Sequence, residues 1–207
     1  YFEGSELSAL GRPADARERA ILKDFPDAVR KDVMDGTYRP SASDGSGRDR
    51  EVLKRALELF AAAGYELDRT VLRKHGTRKP FTFELLVSTR DQERLALALS
   101  RDLKRAGIAV SIRVVDAVQF DRRKSSYDFD MVPYRWDQSL SPGNEQSFYW
   151  GSAAAGVEGT RNYMGVKSPA IDFAITELLS ARERPEFVSA VRTLDRLLIS
   201  GFFVVPL

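Results

Sequence analysis

The stretch from Phe81 to Val115 constrains the fold more than any other part of the chain. FTFELLVS, residues 81–88, is rich in aromatic and β-branched side chains and reads as a strand. Thr89 with Gln92 three residues on has the form of a capping box, in which each side chain serves the other residue's backbone N–H. Leu95, Leu99 and Leu103 then fall on one helical face, and Gly107 closes the helix. Residues 110–115 alternate and run apolar as a second strand. Strand, helix, strand in this order is a βαβ unit, so the two strands are expected to be parallel neighbours with a right-handed crossover.

The rest of the chain extends this α/β pattern. A short helix over 116–125, with Val118 and Phe120 inward, leads to a third strand expected at 128–136. Upstream, Leu53, Ala56, Leu57, Phe60 and Ala63 keep helical spacing and Gly64 follows at the helix end. Residues 65–79 form a polar connector with room for a small hairpin. It holds the only histidine, His75, which reads as a solvated side chain. Residues 1–48 read as an irregular segment packed on the lobe, with one helical piece after Arg12-Pro13, and residues 49–207 as the α/β lobe itself. Near the end, Ser168-Pro169 opens a helix through Leu179. Pro185 starts a last helix with an apolar stripe of Phe187, Val191, Leu194 and Leu198, and a strand is expected over 201–207.

Residues 127–151, YDFDMVPYRWDQSLSPGNEQSFYWG, are the candidate site. The strand expected there breaks at Asp137 into Ser, Pro, Gly and Asn, residue types that favour turns. The loop carries Asp137, Ser141, Asn144, Glu145 and Gln146, bracketed by Tyr134, Trp136, Phe148, Tyr149 and Trp150. In an α/β sheet, ligands collect beyond the carboxyl ends of strands. Rings around a polar loop at such an end suggest a pocket for a polar, partly apolar ligand. The alternative is that these rings cap a core beneath a long loop. Asp128 and Asp130 lie two apart and would share a strand face, as acidic residues entering a strand commonly do while solvated.

Composition narrows the chemistry. With 32 basic and 30 acidic residues the net charge is +2, which gives no strong field for nucleic acid or an anionic membrane. Absence of Cys removes disulfides, thiolate catalysis and Cys-based metal sites, and with a single His most nucleophile and general-base sets lack their parts. No catalytic residue, metal ligand or cofactor is therefore expected. A chain that starts on Tyr1 rather than Met reads as a piece of a longer protein, whose address lies in the part before it.

From Trp136 through Trp150, and above all in SPGNEQ (Ser141–Gln146), the sequence resembles the peptide-type, Yej-like branch of the family 5 extracellular solute-binding proteins. Supporting pieces are GRPA at 11–14, YRP with DGSG between 38 and 47, RVVDAVQFDRR at 113–123, DFDM at 128–131 and LDRLL at 194–198. The likeness runs along the whole chain. It implies the C-terminal lobe of a two-lobed periplasmic binding protein of class II, oligopeptide-binding type, with a mainly parallel sheet flanked by helices. It also implies a monomeric, periplasmic receptor that delivers peptides or peptide-like ligands to the membrane subunits of an ABC importer, without covalent chemistry. In the peptide-binding members an aspartate between an aromatic and a proline meets the peptide's α-amino group. Asp137 is the matching residue here and Glu145 the alternative acid. Two rival readings are a small hydrolase or transferase using Asp137 and Glu145, and a protein-interaction module built on the aromatic patch.

Overall fold

The capping box forms as its residues dictate. In a computed structural model that describes residues 1–42, 45–46, 48–136 and 141–206, Gln92 N donates to Thr89 Oγ1 at 3.2 Å. Gln92 Oε1 in turn accepts from Thr89 N at 3.3 Å, and from Ser88 N at 2.8 Å. The helix so opened, here α4 (Arg90–Arg105), connects β3 (Thr82–Val87) to β4 (Ala109–Val114). β3 and β4 pair in parallel, from Thr82 opposite Ala109 to Val87 opposite Val114, so the expected βαβ unit is present. Gly107 ends the helix at φ +80, and a Cβ there would lie 2.5 Å from Leu72 N, so only glycine fits.

The chain forms two compact units, residues 1–40 with 136–207, and residues 41–135. The second unit holds the βαβ element. It also contains α3 (Arg50–Ala62), the hairpin β1 (Tyr65–Asp68) with β2 (Val71–Lys74), and α5 (Ala117–Ser125). The hairpin is antiparallel and forms its own two-stranded sheet. One apolar cluster gathers Leu72, Ala106 and Ile108 under Leu53, Leu57, Phe60, Tyr65 and Phe81. Another gathers Leu85, Val87 and Ala96 under Leu99, Ile112 and Met131.

The third strand expected over 128–136 does not form. A single parallel bridge joins Leu85 to Met131, with Met131 N donating to Glu84 O at 3.0 Å and Leu86 N to Met131 O at 3.0 Å. The aspartates explain why pairing stops there. Asp130 Oδ2 captures the Glu84 N–H at 2.8 Å, and Asp128 Oδ2 accepts from Arg123 Nε at 2.7 Å. Pro133, two residues on, has no N–H to extend the ladder.

The first unit is helical and is organised around α8 (Arg184–Gly201). Its expected stripe is the centre of the core: Val191, Leu194 and Leu198 are fully buried, against α7 (Pro169–Ser180), Trp150 and Val33. Residues 1–40 contain two short helices, α1 (Ala16–Ile21) and α2 (Lys31–Met34), where one helical piece was expected. They hold α8 through polar contacts as well as apolar ones. Asp195 Oδ2 accepts from Ala9 N at 2.7 Å, and Ser189 Oγ bonds Asp15 Oδ2 at 3.0 Å. Arg196, wholly buried, pairs through Nε with buried Glu18 and donates from Nη1 to Val33 O at 2.6 Å. These contacts tie residues 1–40 to the last helix. The strand expected over 201–207 is absent among the described residues. Phe202 takes φ 50 and ends α8, and Phe203 turns back so closely that a Cβ on Gly201 would sit 2.1 Å from its ring.

Candidate functional site

The polar run after Pro142 folds as a helix, not a loop. Asn144 is its N-cap and residues Glu145–Trp150 form α6, followed by a short 3-10 turn at Ser152–Ala154. Helical spacing separates the three rings. Tyr149 and Trp150 face the core of the first unit, while Phe148 points out and is 57% exposed. Trp150 is fully buried, stacked on Trp136 with centroids 5.6 Å apart and planes at 18°. Tyr1 meets Trp150 edge-on at 5.2 Å. For Tyr149 and Trp150, then, the structure favours the core-capping alternative over a pocket wall.

The carboxylate of Glu145 is half-buried at the start of α6. Its Oε1 accepts from Gly143 N at 2.8 Å and from Gln146 Nε2 at 3.2 Å, so both donors converge on one oxygen. Gln146 itself is fully buried, and its Oε1 has no hydrogen-bond partner; neither has the buried Trp150 Nε1. These two groups, an acceptor and a donor, bear polar character into the interior of the first unit. Ser141 and Asn144 are exposed beside this helix start, and Asn144 makes no side-chain capping bond.

Of the residues the sequence singled out, the structure brings Trp136, Glu145 and Gln146 into the first unit together with Ser141 and Asn144. Tyr134, half-buried, belongs to the second unit. Asp137 lies outside the described residues.

Two residues that sequence reading missed support this region. Asn162, fully buried, donates from Nδ2 to Gly151 O at 2.9 Å and Val166 O at 2.8 Å, and accepts from Val166 N at 2.8 Å. All three contacts hold the small-residue loop that follows α6. Arg161 places its guanidinium 6.0 Å from the Tyr149 ring centroid, with Nη1 3.4 Å from the phenol oxygen. Both follow Thr160 in a Gly-rich loop, and nothing in their spacing signals the partner.

The fold is shared with solved two-lobed binding proteins. The oligopeptide-binding protein AppA of Bacillus subtilis, solved with a nonapeptide, superposes with a TM-score of 0.65 at 18% identity, covering 96% of this chain and 39% of AppA. NikZ of Campylobacter jejuni, solved with Ni(L-His), gives 0.63 at 16% identity over 93% of this chain and 39% of NikZ. The architecture is therefore that of a periplasmic binding protein lobe.

Residues 23–157 match the model of the bacterial extracellular solute-binding proteins, family 5 Middle, and the chain belongs to that family. A binding protein of Brucella melitensis is 51% identical over all 207 residues. The peptidoglycan-binding protein YepA of Agrobacterium fabrum is 40% identical over the same span. The chain covers 34% of the length of each of these relatives.

Proposed function

We propose that the protein carrying this chain is the substrate-binding component of an ABC importer. It captures oligopeptides or peptide-like ligands in a cleft between lobes, in the periplasm, as a monomer that hands its cargo to importer membrane subunits. In this reading residues 49–207 supply one lobe, residues 1–48 brace it, and the lobes close by a hinge without covalent chemistry. Family membership supports the reading, as do a relative named for binding peptidoglycan and a structural neighbour solved with a nonapeptide.

The observation that carries it is the half-buried Glu145. Gly143 N and Gln146 Nε2 both bind its Oε1, and among the described residues no cation pairs with it. Its second oxygen is left for an ammonium group, to which a charge-assisted hydrogen bond would form. Trp136 supplies apolar contact beside it. Ser141 and Asn144 complete the proposed lining in the first unit, Tyr134 and Asp137 remain its candidates from the sequence, and Gln146 acts from beneath by orienting Glu145.

The test is a double-mutant cycle on the protein carrying this chain, with binding of free and N-acetylated peptide followed by calorimetry. Glu145→Gln should weaken binding of the free peptide by about 1.5–3 kcal/mol, and acetylation should cost a similar amount. The two losses should not add, because they remove opposite halves of one interaction. The same cycle on Asp137→Asn separates the two acids. Additive losses at both positions would remove the amino-group assignment.

A further inference from the structure

Several surface cations of the second unit are answered by an acid. Arg55 pairs with Glu58, Arg94 with Asp91, Arg73 and Arg78 with Asp68, and Arg123 with Glu84 and Asp128. Four arginines that are not answered in this way stand together. Arg48, Arg50, Arg101 and Arg105 are all exposed, and among the described residues none forms an ion pair. These same four line a cavity of about 760 Å³, together with Ala98 and Asp102.

The arrangement comes from two helices. Ala98, Arg101, Asp102 and Arg105 stand at positions i, i+3, i+4 and i+7 along α4, so they form one face of it. Arg48 and Arg50 flank Asp49, the N-cap of α3. The Asp49 carboxylate is occupied with its own helix, accepting from Glu51 N at 3.0 Å and Val52 N at 3.1 Å. Among the described residues the cavity wall therefore presents four guanidinium groups against the one carboxylate of Asp102.

Local physics works against this crowding. Arg50 stands in the first turn of α3, where the positive end of the helix dipole disfavours a cation. Arg101 and Arg105 are like charges one turn apart on α4, which destabilises a helix. Among the described residues, only one acid lines this wall. Departures from local preference without a compensating contact in the fold itself are expected where a ligand supplies the compensation.

We infer that this cavity binds a small multivalent oxyanion, one carrying phosphate or carboxylate groups. Guanidinium groups match such groups by paired, charge-assisted hydrogen bonds. Arg101 and Arg105 take one end of the anion and Arg48 and Arg50 the other, while Asp102 favours a hydroxyl on the same molecule. The site belongs wholly to the second unit and shares no residue with the proposed peptide site, so it stands or falls independently of that reading.

Calorimetry at low ionic strength, on the protein carrying this chain, tests it with pyrophosphate and citrate as probes. The paired change Arg101→Gln and Arg105→Gln should weaken binding at least about tenfold, the equivalent of losing one or more charged hydrogen bonds. Arg50→Gln should weaken it less. Lys104→Gln removes an exposed cation of α4 that does not line the cavity, and should leave affinity unchanged. All of these side chains are exposed, so the variants keep the fold, which circular dichroism verifies. Tighter binding of pyrophosphate supports the site with a phosphate ligand, and tighter binding of citrate supports it with a carboxylate ligand. Absence of binding for both probes, or an equal loss with Lys104→Gln, overturns it.

Discussion

The two units solve the burial problem differently. In the first, α8 is enclosed: Val191, Leu194, Leu198 and even the charged Arg196 are fully buried, and Asp195 accepts from a backbone N–H 186 residues away. In the second, α3 buries none of its residues fully and α4 buries only Ala96. Leu59, Leu95, Leu97, Val114 and Val118 are each at least half exposed there. The contrast shows that amphipathic pattern alone does not make a core. α4 is strongly patterned, yet a two-stranded sheet offers it too little surface to cover its apolar side. The first unit should therefore resist local opening more strongly than the second, and peptide-resolved hydrogen exchange measures this directly.

Substitutions sharpen the comparison. Trp150→Ala should have the largest effect, about 3–5 kcal/mol, because it empties a fully buried site and removes the stack on Trp136. The loss should be confined to protection in the first unit. Leu72→Ala, the most buried position of the hairpin cluster, should cost about 2 kcal/mol, the low end for such a truncation, because its neighbours are only partly buried and can collapse inward. If it costs more than Trp150→Ala, the ranking of the two cores is wrong.

Asp15→Ala should cost about 1 kcal/mol, the usual loss for an N-cap, since Asp15 Oδ1 accepts from Glu18 N at 2.8 Å. This effect depends on pH. Burial pushes the Asp15 carboxyl up, but hydrogen bonds from Glu18 N, Ser189 and Arg17 N, with the charge of Arg192, together hold it below its ordinary value. A depressed folded pKa gives stability that is present above the ordinary aspartate range and lost as pH falls through the lowered one. The gap between wild type and Asp15→Ala should therefore be full near neutrality and shrink in acid, as denaturant melts at the two pH values would show. Smallest of all, Leu59→Gln on the exposed side of α3 should change stability by no more than about 0.5 kcal/mol. A larger loss would mean that this face is covered in the protein carrying the chain.

Sequence reading reached the parts of the fold that are locally specified. The capping box at Thr89 and Gln92, the glycine at 107 and the stripe of α8 each carry their own signal within a few residues. It failed where the decision is made at long range. Residues 128–136 have strand composition as far as Met131, but Asp130 spends its carboxylate on Glu84 N and so replaces a ladder bond. The union of residues 1–40 with 136–207 rests on pairs such as Glu18 with Arg196, which no periodicity reveals. In the candidate site, aromatic crowding was legible and its sorting was not. Position on α6 sends Trp150 inward and Phe148 outward, and it buries Gln146, a polar residue that composition alone would place at the surface.

The stacked indoles have an optical consequence. Trp136 and Trp150 are the chain's two tryptophans, and residues 41–135 contain none. All of the indole emission from this chain thus originates in one stacked pair, shielded on one side by Tyr1. At this separation the two excited states couple, giving a paired signature in the near-ultraviolet that neither ring has alone. Indole fluorescence therefore reports the first unit only, while backbone dichroism reports both. Any gap between the two unfolding curves is then a direct reading of how independently the units melt.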